Sequence, residues 1–208
     1  MFVLRQARDE RVQKIPFVLS RSKDERKLSA GHYHETIMPG PKIDAEALIA
    51  RAAIHDTQTR YFQGIDRGSV EQVRACFTDD VRCWYDGKPS TEGLAACMDN
   101  FWAFKYQKSG DWKITTHFMG NLTFNAMDRT SAETETNAIA FLVLKTGEPK
   151  NEITTMRSLR YLDRWRKVGD DWLICERQHT LDWSSSVSTA FATETHKRIN
   201  SRPSKTSW

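Results

Sequence analysis

Residues 160–174 read RYLDRWRKVGDDWLI, and this segment gives the strongest indication of the fold. Aromatic and aliphatic side chains interleave with charged ones on both sides of the central Gly169-Asp170 pair. Two such runs joined by a short polar turn are typical of an antiparallel β-hairpin.

The same pattern extends in both directions. Four runs with a period near two cover residues 112–126, 131–146, 152–167 and 171–183. Short segments rich in Asp, Gly and Pro separate them, and these residue types favour turns. Four long runs joined by short turns predict an antiparallel meander.

Upstream of the meander the apolar spacing is helical. It predicts a long helix from Asp44, a residue type that caps helices, to Gly64. A shorter helix opens at the capping-box pattern of Ser69, a short strand covers 81–85, and a third helix covers 91–104. Helices segregated from an antiparallel sheet make an α+β domain. A curved sheet wrapped over the long first helix would leave a cavity between them, which is the default ligand site.

The predicted domain spans residues 44–183, between an N-terminal tail (1–43) and a C-terminal tail (184–208). Basic residues exceed acidic ones by three in residues 1–44 and again by three in 184–208, whereas the part between holds 18 basic and 20 acidic side chains. The tails show no sustained period, so they are expected to be flexible. One hypothesis is that Met38 is the true start of the protein.

Composition narrows the function classes. The folded part lacks the basic surface expected of a nucleic-acid binder, and no run approaches the roughly 18 apolar residues of a membrane span. The four cysteines show no C-x-x-C spacing, so we expect reduced thiols and no metal site. The N-terminus turns charged after four apolar residues, which predicts no secretory signal and a cytoplasmic location. Dinucleotide, P-loop, serine-hydrolase and zincin motifs are missing from the sequence.

Four polar residues in apolar surroundings remain as candidates for chemistry. The more apolar face of the last predicted strand is expected to be buried, and it carries Leu173, Cys175, Arg177, His179, Leu181 and Trp183. A buried guanidinium at Arg177 needs either a carboxylate partner or an anionic ligand. His117 lies within a strand, and Asp66 follows the first helix with Tyr61 five residues earlier. Taken singly, each is equally consistent with a structural role.

Together these residues belong to a recognisable pattern. The chain resembles the SnoaL-like branch of the nuclear transport factor 2-like superfamily over roughly residues 45–183. The resemblance rests on residues 51–56, 60–68, 160–165, 169–174 and 181–183. It implies a cone-shaped α+β barrel, in which a curved, mostly antiparallel sheet wraps around a long N-terminal helix with two further helices. It also implies an apolar pocket and no cofactor.

Within that branch the chain is similar to dehydrochlorinases and dehydratases that use a His–Asp pair. The resemblance places His117 on the catalytic base, Asp66 on the carboxylate that orients it, and Arg177 on the residue that stabilises negative charge. Tyr61 falls on a polar position that is Tyr in the dehydratase type and Lys in the dehydrochlorinase type, so the leaving group stays open. The chemistry is consistent, because imidazole has a pKa of roughly 6.5 and suits base work near neutrality.

The implied function is that of a lyase or isomerase acting on a small apolar ring compound such as a steroid, terpenoid, polyketide or aromatic. Candidate walls of the pocket are Phe62, Trp84, Phe101, Trp102, Phe118, Phe141 and Trp183. Two alternatives stay open. One is a polyketide cyclase or epoxide hydrolase with Asp66 as the base, and the other is a non-catalytic binding module or small subunit of a ring-hydroxylating dioxygenase. We expect a homodimer or homotrimer, with neither nucleic acid nor membrane as a partner.

Overall fold

The computed structural model describes residues 43–85, 87–145, 152–189 and 192. The helices are α1 (Ala45–Arg67), α2 (Val70–Arg74), α3 (Leu94–Asn100) and α4 (Trp102–Ser109). The strands are β1 (Phe77–Tyr85), β2 (Thr91–Glu92), β3 (Trp112–Met127), β4 (Ser131–Leu144), β5 (Glu152–Val168) and β6 (Asp171–Thr189). The predicted tail 1–43, apart from Ile43, and the Met38 hypothesis lie outside the described residues.

The strands form one curved, unclosed sheet in the order β2-β1-β6-β5-β4-β3. All neighbours pair antiparallel except β1 and β6, which are parallel. The α+β prediction and the four-stranded meander are therefore confirmed. Among the described residues, strand β3 ends the sheet, so one of its edges has no neighbouring strand there, and that edge faces the helical layer that contains α1.

The predicted third helix over 91–104 is interrupted twice. Thr91 and Glu92 pair with β1, and Gly93 follows with φ 82°, a conformation that favours glycine. Phe101 then adopts an extended conformation between α3 and α4. Three helices rather than two therefore follow α1.

Helix α1 packs one face into the concave side of the sheet. Asp44 caps it, because its side chain accepts a hydrogen bond from the Ala47 N–H, as predicted. The buried stripe contains Ile54, Gln58 and Tyr61 at helical spacing. Leu48 and Ile49, in the first turns of α1, are exposed, whereas the polar residues Thr57 and Gln58 are buried. None of the described helices is long and apolar enough to cross a membrane.

Strand β6 changes which face it buries part-way along. Trp172 and Ile174 are buried first, and Arg177 and His179 are buried after them. Ile174 pairs with β5 residue 165 and Glu176 with residue 164, so Cys175 is an extra residue that forms a β-bulge. The prediction that Leu173 and Cys175 share the buried face with Arg177 was wrong for this reason.

Strand β6 also continues to Thr189, six residues beyond its predicted end at Trp183. Residues 184–189 pair with the first part of β5. They belong to the sheet rather than to a tail, because their backbone groups complete the ladder with β5. Except for residue 192, the remainder of the predicted C-terminal tail lies outside the described residues.

Candidate active site

Asp66 lies where the end of α1 meets the free edge of β3. Helix α1 ends at Arg67, the residue after Asp66. The next residue, Gly68, adopts the left-handed conformation (φ 66°), and its N–H bonds to the carbonyls of Gly64 and Ile65. Asp66 Oδ1 is 2.7 Å from Nδ1 of His117, and Asp66 Oδ2 accepts the His117 backbone N–H at 2.9 Å. One carboxylate therefore holds both the ring and the backbone of the same histidine.

This arrangement fixes the tautomer of His117. An ionised carboxylate only accepts hydrogen bonds, so Nδ1 must be the donor. Nε2 is then the ring nitrogen whose lone pair can receive a proton. The Phe62 ring stacks on the imidazole, with centroids 5.3 Å apart and an angle of 25° between the planes. The imidazole is thus held from its edge by Asp66 and from its face by Phe62.

His117 lines a cavity of about 90 Å³ between α1 and the concave face of the sheet. Phe101, a predicted wall residue, and Tyr61, a predicted catalytic residue, both line it, whereas Asp66 lies behind His117 and is not part of the wall. The full lining is Tyr61, Ile65, Tyr85, Lys88, Phe101, Thr115, His117, Ala140, Leu142, Arg157, Leu159, Tyr161 and His179. The lining combines apolar side chains with polar groups at His117, at Arg157 and Lys88, and at a cluster of aromatic residues.

The aromatic cluster of the cavity is formed by Tyr85, Tyr161 and His179, which lie side by side on three adjacent strands. Ring centroids are 5.2 Å apart between Tyr85 and His179 and 5.1 Å apart between Tyr161 and His179. The Tyr85 hydroxyl is buried and has no hydrogen-bond partner among the described residues. Burial raises the pKa of Tyr61, and it raises the pKa of Tyr85 and Tyr161 well above the usual value. All three phenols are therefore protonated donors at neutral pH.

Arg177 is fully buried, but it does not line the cavity. Its Nε and Nη2 atoms donate to the two oxygens of Asp163, both at 2.7 Å, and Nη2 also donates to Gln58 at 2.8 Å. The guanidinium lies 4.1 Å over the Tyr61 ring. Attraction to Asp163 outweighs the lowering effect of burial, so the pKa of Arg177 is raised well above its ordinary value. A buried arginine was expected to have either a carboxylate partner or an anionic ligand, and the structure shows the carboxylate partner.

Four of the predicted wall residues lie on the other face of the sheet. Trp84, Phe118, Phe141 and Trp183 each neighbour inward-facing residues along their strands, and successive strand side chains point to opposite faces. Phe118 is 62% and Trp183 51% exposed. The side chain of Trp102 lies outside the described residues.

Sequence comparison identifies the family. The model of the SnoaL-like domain matches residues 46–178. The chain belongs to the SnoaL-like family. The match begins in the first turn of α1 and ends in β6 one residue before His179. It therefore includes the His117–Asp66 pair, and it agrees with the resemblance that the sequence carries.

Solved structures resemble this SnoaL-like domain in fold. A proposed scytalone dehydratase of Novosphingobium aromaticivorans has a TM-score of 0.59 and 17% identity, with 72% of this chain and 93% of that chain covered. Hexachlorocyclohexane dehydrochlorinase LinA-type3 of Novosphingobium barchaimii has a TM-score of 0.59 and 15% identity, with coverages of 71% and 97%. A proposed aromatic ring hydroxylase of N. aromaticivorans has a TM-score of 0.54 and 17% identity, with coverages of 68% and 94%. Comparison with curated protein sequences finds no match.

Sequence reasoning missed several residues that line the cavity of the SnoaL-like domain. Tyr85, Arg157 and His179 were not singled out as site residues, although His179 lies on the β6 face predicted to be buried. Arg157 lies two and four residues before Leu159 and Tyr161, so the alternation of strand β5 places all three side chains on the same face. This alternation is visible in the sequence. In the described part of the chain, no group of three or more His, Cys, Asp and Glu side chains is placed to hold a metal ion.

Proposed function

We propose that this SnoaL-like domain is a lyase or isomerase that needs no cofactor and removes a carbon-bound proton from a small ring compound. The observation that carries the proposal is the His117–Asp66 pair. An imidazole whose Nδ1 is bonded to a carboxylate at 2.7 Å and whose ring borders an apolar cavity is built as a general base.

The reaction follows from that geometry. Nε2 of His117 takes a proton from a ring carbon, and Asp66 stabilises the imidazolium that forms. In an elimination the C–H electrons form the new double bond while the leaving group departs from the adjacent carbon with its own electron pair. The imidazolium then returns its proton to a departing oxygen. In an isomerisation the proton returns to a different carbon, and the mass of the compound stays the same.

Tyr61 is the proposed donor to the leaving group or carbonyl oxygen. It lines the same cavity as His117, and burial keeps its phenol protonated. Hydrogen bonds aimed at developing negative charge in a dry site contribute strongly to rate. The charge of the Arg177 guanidinium over its ring stabilises the phenolate that forms when Tyr61, in place of the imidazolium, protonates the departing oxygen. The imidazolium then returns its proton to that phenolate.

The cavity volume limits the size of the substrate. Ligand sites for drug-sized compounds measure roughly 300–1,000 Å³, whereas this cavity measures about 90 Å³. We therefore propose a substrate with a single ring and small substituents in place of a steroid. Larger polyketides and terpenoids would need the cavity to open.

The alternative with Asp66 as the base is less favoured by the contacts. Both oxygens of Asp66 are engaged by His117, and Asp66 does not line the cavity. The non-catalytic alternative gives no reason for a histidine side chain at this position, because Asp66 could bond to the backbone N–H of any residue there.

Deuterium incorporation tests the proposal. The protein is incubated in D₂O with a panel of one-ring ketones, hydroxy acids and chlorinated alicyclic compounds, and the products are followed by mass spectrometry and NMR. We expect loss of water or chloride, or exchange of a ring proton for deuterium, with at least one compound. His117→Ala should abolish the signal.

His55→Ala is the matched control, because His55 and Asp56 form a comparable but exposed pair on α1. Its activity should equal that of the wild type. The proposal fails if no compound reacts or exchanges, or if His117→Ala reacts as fast as the His55→Ala control.

A further inference from the structure

A cationic side chain, that of Arg157, lies two strands away from His117 on the same face of the sheet. Ala140 of β4 pairs with both His117 of β3 and Arg157 of β5, so the three residues form one row across the sheet. Neighbouring strands are about 4.8 Å apart, which places the outer two backbones roughly 10 Å apart. All three residues line the cavity, and the small side chain of Ala140 leaves the space between the imidazole and the guanidinium open.

Arg157 differs from the other arginines of β5. Arg160, Arg164 and Arg166 point to the outer face, where each pairs with carboxylates such as Asp182, Glu133 and Asp80. Arg157 has the opposite parity and points inward with Leu159 and Tyr161. It also interacts elsewhere within the protein, and a guanidinium has five N–H donors to distribute.

The hydroxyl of Tyr85 supplies a second, independent observation. It is buried, borders the same cavity and has no hydrogen-bond partner among the described residues. Leaving a buried hydroxyl unsatisfied is unfavourable, so this group is suited to a polar atom of a ligand. Lys88, from the segment after β1, lines the cavity as well.

We infer that the substrate of this site is a ring carboxylic acid, whose carboxylate is bound by Arg157 with the Tyr85 hydroxyl as a second donor. The inference rests on the proposed function for the role of His117, and it names the substrate class. A carboxylate has about four acceptor positions and can take a bidentate guanidinium and a phenol together. Arg177 does not serve this purpose, because it does not line the cavity and its Nε and Nη2 atoms donate to Asp163 and Gln58.

Binding of benzoate and benzamide tests the inference without turnover. The two probes have nearly the same size, and only benzoate is charged. Titration calorimetry or ligand-observed NMR should show that the wild type binds benzoate at least about tenfold more tightly than benzamide, as expected for charge-assisted hydrogen bonds. Equal affinities, or no measurable binding of benzoate, would overturn the inference.

Variants identify the residues responsible. Arg157→Met should weaken benzoate binding by roughly 10- to 100-fold and leave benzamide binding unchanged, and Tyr85→Phe should weaken benzoate binding by several fold. Arg160→Met, on the outer face of the same strand, is the control and should match the wild type. Unchanged benzoate affinity in Arg157→Met would refute the assignment.

If Arg157→Met does not fold, Arg157→Lys decides the matter. It keeps the charge but loses the bidentate fork, so it should fold and bind benzoate more weakly than the wild type but still in preference to benzamide. An Arg157→Lys protein with wild-type benzoate affinity would argue against the carboxylate contact. The two proposals can fail separately. A preference for benzoate without any deuterium exchange refutes only the proposed lyase or isomerase activity. Deuterium exchange that occurs only with neutral compounds refutes only the proposed carboxylate binding.

Discussion

Replacing Asp66 by Asn tests how the base is held. The wild-type carboxylate accepts two N–H groups of His117, one from Nδ1 at 2.7 Å and one from the backbone at 2.9 Å. An amide offers only one oxygen and one NH₂ group. If the oxygen keeps the backbone N–H, the NH₂ group faces Nδ1, which must then accept. The ring proton moves to Nε2, and the lone pair needed for proton abstraction is lost from the cavity side.

The opposite amide orientation also has a cost. The oxygen then receives Nδ1–H, and the NH₂ group faces the backbone N–H, donor against donor. A largely buried N–H without an acceptor costs about 1–3 kcal/mol, so the first orientation is favoured. The equivalent change in the serine-protease triad lowers kcat by about 10⁴ through the wrong tautomer. We expect a loss of about 10³ to 10⁴ in kcat/KM for Asp66→Asn, or roughly 4–5.5 kcal/mol of transition-state stabilisation.

Two measurements check this prediction. Long-range ¹H–¹⁵N correlation spectra of the His117 ring should show the proton on Nδ1 in the wild type and on Nε2 in Asp66→Asn, and turnover of the compound found in the deuterium screen should fall as stated. Asp182→Asn is the matched control, since Asp182 pairs with Arg160 on the outer face. If Asp66→Asn keeps the Nδ1–H tautomer and full activity, the carboxylate has no orienting role.

Three further predictions concern stability. Arg177→Met should destabilise the fold by about 3–5 kcal/mol in denaturant unfolding, because it leaves the charge of Asp163 buried and uncompensated. Gly64→Ala should cost about 1–3 kcal/mol, since its Cβ would lie 2.7 Å from Val73 Cγ2 and force α2 away from α1. The three cavity tyrosines have raised pKa values, so their contribution is complete below about pH 10, the unfolded value, and is lost as the pH rises above it. Unfolding curves at a series of alkaline pH values measure this decline.

Each of these predictions has a contrary outcome. Wild-type stability of Arg177→Met would mean that the ion pair contributes nothing to the core. An unchanged unfolding midpoint for Gly64→Ala would mean that the two helices separate at no cost. Stability that stays constant above pH 10 would show that the tyrosines ionise alike in the folded and unfolded protein.

The sequence was sufficient for the architecture because long strands carry a strong periodic signal. The four runs of the meander match β3 to β6 closely, and the caps at Asp44 and Ser69 lie where predicted. The proximity of Asp66 and His117 came from the family resemblance. Spacing alone could not give it, because 51 residues separate them and the contact depends on how α1 meets the edge of β3.

The missed features have two physical causes. A β-bulge at Cys175 shifts the alternation of β6, so counting in twos back from Arg177 wrongly places the buried Trp172 and Ile174 on the outer face. The wall residues were chosen as aromatics without regard to strand parity, and Phe118 and Trp183 therefore fell on the outer face. Following the inward–outward alternation along strand β5 would have identified Arg157 as a residue that faces the cavity.

The two contacts of Asp66 have a consequence for how relatives of this chain can be read. One oxygen accepts the backbone N–H of residue 117 at the edge of the sheet, and this bond does not depend on the side chain at that position. The other oxygen bonds to the imidazole ring, so it depends on histidine. A relative without the proposed activity would still be stabilised by the aspartate, because its carboxylate joins helix α1 to strand β3. Under the proposed function, a histidine at position 117 is therefore the better sign of catalysis in a relative than the aspartate.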